Sequence, residues 1–372
     1  MAEFTEANKI QLDDLLECEN YNGEEIKFLL ELTNPSETNK LYKKAYRVKE
    51  RYIGRKTYFR GLIELSNVCE KDCLYCGIRA SGEVGRFTIP KDEVLALAKW
   101  AHENRYGSIT IQAGERTDAF FVDYITDLIK SIKSLSDGEL GITLSLGEQS
   151  PDVYKQWREA GAHRYLLRIE TSNKGLFNII HETTDNMFEK RIKNIESLIK
   201  TGFQTGTGVM IGLPNQTTED LANDILFFKK MDIGMIGMGP YVIAEGTPLG
   251  DMALAMGLDT EAEKKRRLTL ALNMIAVTRL VLGNVNIASA TALHALDPKG
   301  REKALRAGAN ILMPVLTLPQ YKRRYTLYDG KPGLDDDAMA IKNKLVHIVE
   351  SAGDTVGFGE LGDAPKYKSG TL

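Results

Sequence analysis

The stretch Ser66-Asn67-Val68-Cys69-Glu70-Lys71-Asp72-Cys73-Leu74-Tyr75-Cys76-Gly77 directly follows an apolar, β-rich run, Tyr58–Leu65. Three of the chain's four cysteines sit here in C-x3-C-x2-C spacing. A disulfide framework would spread its cysteines along the sequence, so this clustering asks for a metal. Three thiolates on one loop can bind three irons of a cubane cluster and leave the fourth iron without a protein ligand. Thiolates suit iron–sulfur clusters and zinc alike. Structural zinc usually takes four ligands in paired knuckles, and the remaining Cys18 lies far away in a helical segment with no second pair. On spacing alone the cluster, zinc and a chance grouping of buried thiols all stay open.

Working outward, the same kind of run recurs at Ser108–Gln112, Ile142–Leu146, Tyr165–Ile169, Thr205–Ile211, Met235–Met238, Val285–Ala288 and Asn310–Met313. Amphipathic helical patterns lie between, among them Lys91–Glu103, Ala119–Leu135, Phe188–Thr201, Glu219–Lys230 and Glu261–Leu282, with Asp335–Ser351 as the last. Strands each followed by a helix predict parallel β/α units closed into a single (β/α)8 TIM-type barrel. Residues 1–55 read as an N-terminal helical extension (Gln11–Cys18, Gly23–Leu32, Pro35–Gly54) and residues 56–352 as the barrel. Residues 353–372, rich in Gly, Asp and Lys, read as a surface or partly disordered tail. The cysteine loop follows the first strand, and barrel active sites sit at the C-terminal strand ends.

Side chains alternate across a strand. One face of several strands is small and polar: Thr110 and Gln112, Thr143 and Ser145, Thr205 and Thr207. On the fourth strand Arg164, Arg168 and Glu170 share a face. A packed barrel interior is normally Val, Ile and Leu, so polar inner faces predict a wet cavity for a polar ligand. The alternative is that these faces turn outward, toward the helices.

The chain has 372 residues, 43% hydrophobic and 27% charged, with a formal net charge of −3. No Lys- or Arg-rich run forms a phosphate-binding stripe, which argues against nucleic acid as a partner. The polar, acidic N-terminus lacks the apolar core of a signal peptide, and no stretch is apolar enough to cross a bilayer. These features predict a cytoplasmic protein with reduced thiols.

C-x3-C-x2-C with an aromatic residue, Tyr75, before the last cysteine resembles the signature of the radical S-adenosylmethionine (SAM) superfamily. The resemblance implies a 4Fe–4S cluster on Cys69, Cys73 and Cys76, whose open iron chelates SAM. It also implies reductive cleavage of SAM to a 5′-deoxyadenosyl radical under anaerobic conditions. Gln112-Ala113-Gly114-Glu115 is similar to the family's Gly-Gly-Glu-like turn, which implies that Gly114 and Glu115 line the SAM amino end. The same resemblance assigns Tyr75, Ser145, Glu170 and Arg191 to SAM, with Glu170 and Arg191 on its ribose and carboxylate. Thr207–Pro214 resembles the fifth-strand motif near the adenine, and Met235–Tyr241, containing Met238, the sixth-strand motif across from it.

Within the superfamily the chain is most similar to the HydE family of FeFe-hydrogenase maturases, over roughly residues 45 to 355. Ile63–Cys69, Thr143–Glu148, Gly237-Met238-Gly239-Pro240 and Gly308–Met313 carry that similarity. Biotin synthase and methylornithine synthase are relatives. The resemblance implies action on an iron–carbonyl–cyanide–cysteine precursor, with Arg168 and Thr291 facing the substrate. It further implies a ferredoxin- or flavodoxin-like reductant and other hydrogenase maturases as partners. Two departures bear on the substrate: Ile169 stands where some members have histidine, and Ala290 where some have a second threonine beside Thr291. No cysteine follows Cys76, which predicts one cluster only. A methylornithine-synthase-like mutase of an amino acid is the rival within the enzyme class, and a non-catalytic iron–sulfur or zinc-binding barrel the rival outside it.

Overall fold

The computed structural model describes residues 12–181 and 186–368. The start of the expected helix at Gln11 and the last residues of the tail, 369–372, lie outside them. Eight parallel strands form the centre: β1 (Lys56–Ser66), β2 (Ser108–Ala113), β3 (Gly141–Ser145), β4 (Arg164–Leu166), β5 (Gln204–Thr207), β6 (Met235–Ile236), β7 (Asn286–Ile287) and β8 (Ile311–Leu312). Each pairs with the next, and β8 pairs with β1 through Tyr58–Ile311 and Phe59–Leu312. A parallel bridge between Ala288 and Ile311 joins β7 to β8, supported by the Asn310 N–H donating to the Ile287 carbonyl at 2.9 Å. The eight expected runs are therefore the eight barrel strands.

Most helices cover this ring by presenting an apolar stripe to the outward strand residues; Glu261–Leu282, expected to be amphipathic, is instead buried on nearly every side from Leu270 to Leu280, between the barrel and the extension helices. Ala119–Leu135 buries Phe121, Ile125, Leu128, Ile129 and Ile132, next to Ile109, Ile111 and Leu144, all fully buried. Its start is set by Asp118, whose carboxylate accepts from the Phe121 N–H at 3.0 Å. The extension helices Gly23–Leu30 and Pro35–Ile53 are tied to the long helix Glu261–Leu282 by buried Asn273. The Asn273 amide accepts from Tyr42 OH at 2.7 Å and donates to the carbonyls of Leu30 and Leu32.

The interior is polar in part. A pocket inside the lower barrel is lined by Arg60, Thr110, Thr143 and Asn286 together with Leu166, Met235 and Met313. Thr110 and Thr143 face inward as their alternation implies. Thr205 and Thr207 do not, because β5 registers Leu166 with Gly206 and Tyr165 with Thr205. Cross-strand partners share a face, so Thr205 turns outward with Tyr165, and Gly206 faces Leu166 and Met235 inside. The Thr207 hydroxyl instead accepts from the Ile169 N–H at 3.0 Å.

The tail departs from its expected role. Thr355–Val356 pairs with β1, and the residues after it close the lower end of the barrel. Asp354 is buried against Lys49 and accepts from Thr57 at 2.6 Å and Tyr46 at 2.7 Å. Asp363 is ion-paired with Arg164, whose side chain is fully buried. The Gly362 carbonyl accepts from Asn286 at 2.8 Å and from Arg60 at 3.3 Å. A Gly/Asp/Lys composition reads as solvated surface; here the aspartates neutralise buried cations and the glycines fit beneath Tyr58. Arg164 therefore belongs to the barrel floor, away from Arg168 and Glu170.

Candidate functional site

The cysteine loop leaves β1 at the C-terminal end of the barrel. Its thiols are half-buried, and burial pushes those of Cys73 and Cys76 up to about 12, with the neighbouring thiols adding to the rise at Cys73. Cys69 is also raised by burial, while N–H groups of Lys71 (3.4 Å) and Glu115 (3.3 Å) donate to its Sγ and favour the thiolate. A buried thiol raised this far ligates only when a metal displaces its proton. Among the described residues no three His, Cys, Asp or Glu side chains converge on a single ion position. Three thiols on one loop can serve three corners of a cubane, whereas a structural zinc takes a fourth ligand.

The turn after β2 packs directly on this loop. A Cβ at Gly114 would lie 2.3 Å from the Val68 carbonyl oxygen and 2.7 Å from Cys69 Cβ, so only glycine lets the two approach. Glu115 follows. Its carboxylate pairs with Lys71 at 3.2 Å and accepts from the Glu148 N–H at 2.9 Å. It lies over Gly147, whose φ of +75° and missing side chain leave the space.

Glu148 and Arg191 form the centre of charge at the mouth. Their side chains are 5% and 8% exposed and meet at 2.6 Å, with Lys190 a further 3.2 Å partner of Glu148. Burial lowers the pKa of Arg191, but Glu148 and Glu115 outweigh it and hold the guanidinium more firmly charged than usual. Arg191 also donates to the Arg168 carbonyl and lies over the Phe177 ring. His181 stacks on Phe177 and meets the Tyr75 ring edge-on at 5.6 Å. Burial, then the charge of Arg191, lower its pKa to about 3, so it is neutral.

Glu170 adopts a left-handed φ of +66°, unusual for a side-chain-bearing residue. That kink at the end of β4 turns its carboxylate toward Arg168, at 2.7 Å, while the Arg168 Nε finds no hydrogen-bond partner. Free donor capacity and buried charges of both signs suit a zwitterionic ligand bearing a carboxylate and an ammonium group.

Most of the expected residues come together here: Cys69, Cys73, Cys76, Tyr75, Gly114, Glu115, Glu170, Arg191 and Arg168 line the loop and the adjoining strand ends. Ser145 ends β3 beside Gln112. Thr291 precedes the short helix Ala292–Leu296, half-buried and without a capping bond. Met238 is placed differently: its Sδ lies 4.0 Å from the Thr278 hydroxyl on the outer helix, so its side chain faces outward. Ile169 is fully buried within the main apolar core. Ala290 instead packs close to Gly239. Sequence reasoning did not single out Glu148, Lys71 or His181 as site residues. The Gly147-Glu148 pair just past a barrel strand was the available signal.

A family model of the radical SAM superfamily matches residues 63–228. The chain is 38% identical over 318 residues to the [FeFe] hydrogenase maturase subunit HydE of Thermotoga maritima, covering 85% of this chain and 86% of that protein. It is 24% identical to a 3-methylornithine synthase of Methanosarcina acetivorans over 82% of each. The crystal structure of a methylornithine synthase (PylB) superposes with a TM-score of 0.79 at 20% identity, over 96% of this chain and 99% of that one. A parallel barrel with a three-cysteine loop at its C-terminal mouth and these relatives define a radical SAM enzyme, one of the class that uses a 4Fe–4S cluster and SAM. Within that class the chain belongs to the HydE family of hydrogenase maturases.

Proposed function

We propose that Cys69, Cys73 and Cys76 hold a 4Fe–4S cluster with one open iron. The reading places SAM between that loop, the Gly114-Glu115 turn and the charges of Glu170 and Arg191. When bound, these cofactors supply reductive cleavage of SAM to a 5′-deoxyadenosyl radical. The chain's own residues orient and shield. Glu115 and Glu148 give acceptors for the amino end, Arg191 an ionised donor for the carboxylate, and Gly147 the room for Glu115 to reach. Leu74 and Tyr75 pack with Leu249, Tyr241 and Met210 in a small apolar cluster on one side of the loop, which keeps water from that flank. Arg168 and Thr291 face the substrate in this reading.

The substrate we propose is an iron–carbonyl–cyanide–cysteine precursor of the hydrogenase diiron unit. What supports it is the 38% identity to a HydE over most of both chains. A ferredoxin- or flavodoxin-like protein supplies the electron, and the other maturases precede and follow in the same assembly. Among the described residues no helix is long and apolar enough to cross a membrane. The free cysteines agree with a reducing compartment, the cytoplasm.

The observation that carries this reading is the set of three thiols, Cys69, Cys73 and Cys76, on one loop at the barrel mouth, with the remaining cysteine, Cys18, in the N-terminal extension. Anaerobically reconstituted protein, reduced in the presence of SAM, is expected to yield 5′-deoxyadenosine, and Cys73→Ser to abolish it. One zinc per chain with neither iron nor sulfide would overturn the reading. In vitro maturation of apo-hydrogenase, with this protein included or left out, tests the substrate.

A further inference from the structure

Arg86 lies ten residues beyond the last cysteine, on the segment that turns back along the end of β1. Its guanidinium donates to five main-chain carbonyls. Nη1 takes Asn67 at 2.7 Å and Ile78 at 2.8 Å. Nη2 takes Arg79 at 2.5 Å, Ala80 at 3.1 Å and Gly82 at 2.9 Å. Asn67 stands two residues before Cys69 and Ile78 two residues after Cys76. One nitrogen atom thus closes the neck of the cysteine loop.

Further into the loop Ser81 also donates to the Asp72 carboxylate, from its N–H at 2.9 Å and its hydroxyl at 2.7 Å, but Arg86 is what joins Asn67 to Ile78. Inside the loop the main chain is held by turns such as Cys76 to Cys73 (3.1 Å) and by Ala80 to Lys71 (2.8 Å). The side chain of Asn67 extends the pin, accepting from the Phe87 N–H at 2.7 Å and donating to the carbonyls of Gly85 and Arg324. Among the described residues no carboxylate pairs with Arg86, so all its terminal N–H groups serve the loop and its charge stays unneutralised. A guanidinium presents its donors in a rigid fork; a lysine ammonium has three rotatable donors on one atom and cannot span the same carbonyls.

We propose that Arg86 is the positioning residue of the cluster loop: it fixes both ends of the three-cysteine segment before any metal arrives. A loop already ordered binds its ligand without a further ordering cost. The proposal rests on the cluster assignment above and concerns how that loop is held.

The test compares Arg86→Met, Arg86→Lys and Cys73→Ser with the unaltered chain. In apo-protein, hydrogen exchange of the amides in residues 67–87 should speed up strongly in Arg86→Met and partly in Arg86→Lys, with barrel amides unchanged. In reconstituted protein, iron loss to a chelator should be about ten- to a hundredfold faster in Arg86→Met, as for other outer-shell partners of a metal site, and Arg86→Lys should recover part of the difference. The change in the reduced cluster's EPR spectrum on adding SAM should broaden in Arg86→Met. Exchange and iron-release rates equal to those of the unaltered chain would overturn the proposal. If Arg86→Met does not fold, Arg86→Lys carries the test, and unchanged rates there with an unchanged EPR response would overturn it. Cys73→Ser that keeps its full iron content would instead sink the cluster assignment, which the apo-protein exchange does not depend on.

Discussion

Glu148 and Arg191 meet at 2.6 Å from two different β/α units, one at the end of the β3 loop and one on helix Met187–Lys200. Neither charge has water to fall back on, and each is the main counter-ion of the other. Removing one partner of a buried pair costs about 3–5 kcal/mol. Arg191→Met is therefore expected to lower stability by that order and to weaken SAM binding at least tenfold, read by urea unfolding and calorimetric titration under argon. Lys190 still reaches Glu148, so Glu148→Gln should be the worse of the two for stability. Equal unfolding midpoints for both variants and the unaltered chain would contradict the pair's role.

Gly147 gives a second, sharper prediction. Its φ is +75°, and a Cβ there would fall 2.4 Å from both Cγ and Oε2 of Glu115. Gly147→Ala should destabilise the fold by about 1–3 kcal/mol through backbone strain and also push Glu115 from its seat. Gly202 is the control, with φ +81° and nothing within 4 Å of the point where a Cβ would stand. Gly202→Ala should show the strain alone. A SAM dissociation constant that rises in Gly147→Ala and not in Gly202→Ala is the expected outcome; an equal change in both would remove Glu115 from the cofactor's contacts.

How much of this could be read from residues alone depended on the range of the interaction. All eight strands were legible because apolar runs alternate locally with amphipathic helices. The cysteine loop was legible because its three thiols are sequence neighbours. The inward phase of β5 was not, since only the pairing of Leu166 with Gly206 tells which face of Thr205 is inside. Arg164 and Glu170 share a strand face in sequence, but the rise along the strand puts Arg164 at the floor, on Asp363, and Glu170 at the mouth, on Arg168. Glu148 was invisible as a site residue because its partner Arg191 lies 43 positions away. The tail's contacts are hidden in the sequence for the same reason: Asp354 and Asp363 find their cations 305 and 199 positions upstream.

Asp224 sets an expected pH dependence. It is fully buried on helix Thr218–Lys230; one carboxylate oxygen accepts from the Ser172 N–H at 2.6 Å and the other has no partner. Burial pushes its pKa up to about 7 from an ordinary 3.8, against the opposing hydrogen bond from Ser172. The folded chain then holds a proton that the unfolded chain releases at lower pH. Its stabilising contribution is complete below pH 3.8 and is lost as pH rises through about 7. Asp224→Asn should leave the apo-protein less sensitive to pH between about 5 and 8, with a gain over the unaltered chain at the upper end. Parallel stability curves for the two proteins over that range would show that Asp224 does not titrate there.

The barrel floor supplies the last prediction. Lys49 and Arg164 have fully buried side chains, and their carboxylate partners, Asp354 and Asp363, both come from the chain's final segment. The Gly362 carbonyl adds the acceptor for Arg60 and Asn286, so one short stretch satisfies four buried donors. A chain ending at residue 353 would leave both cations uncompensated, at about 3–5 kcal/mol each, which is comparable with the whole stability of a typical domain. Truncation there should give insoluble protein or one with no cooperative unfolding transition. Asp363→Asn alone should fold but unfold at a clearly lower urea concentration. Truncation at residue 364 should leave the midpoint within error of the full chain if the floor is built from 354 to 363, and a large loss in that variant would move the essential contacts further along the tail, to Lys366 and Tyr367.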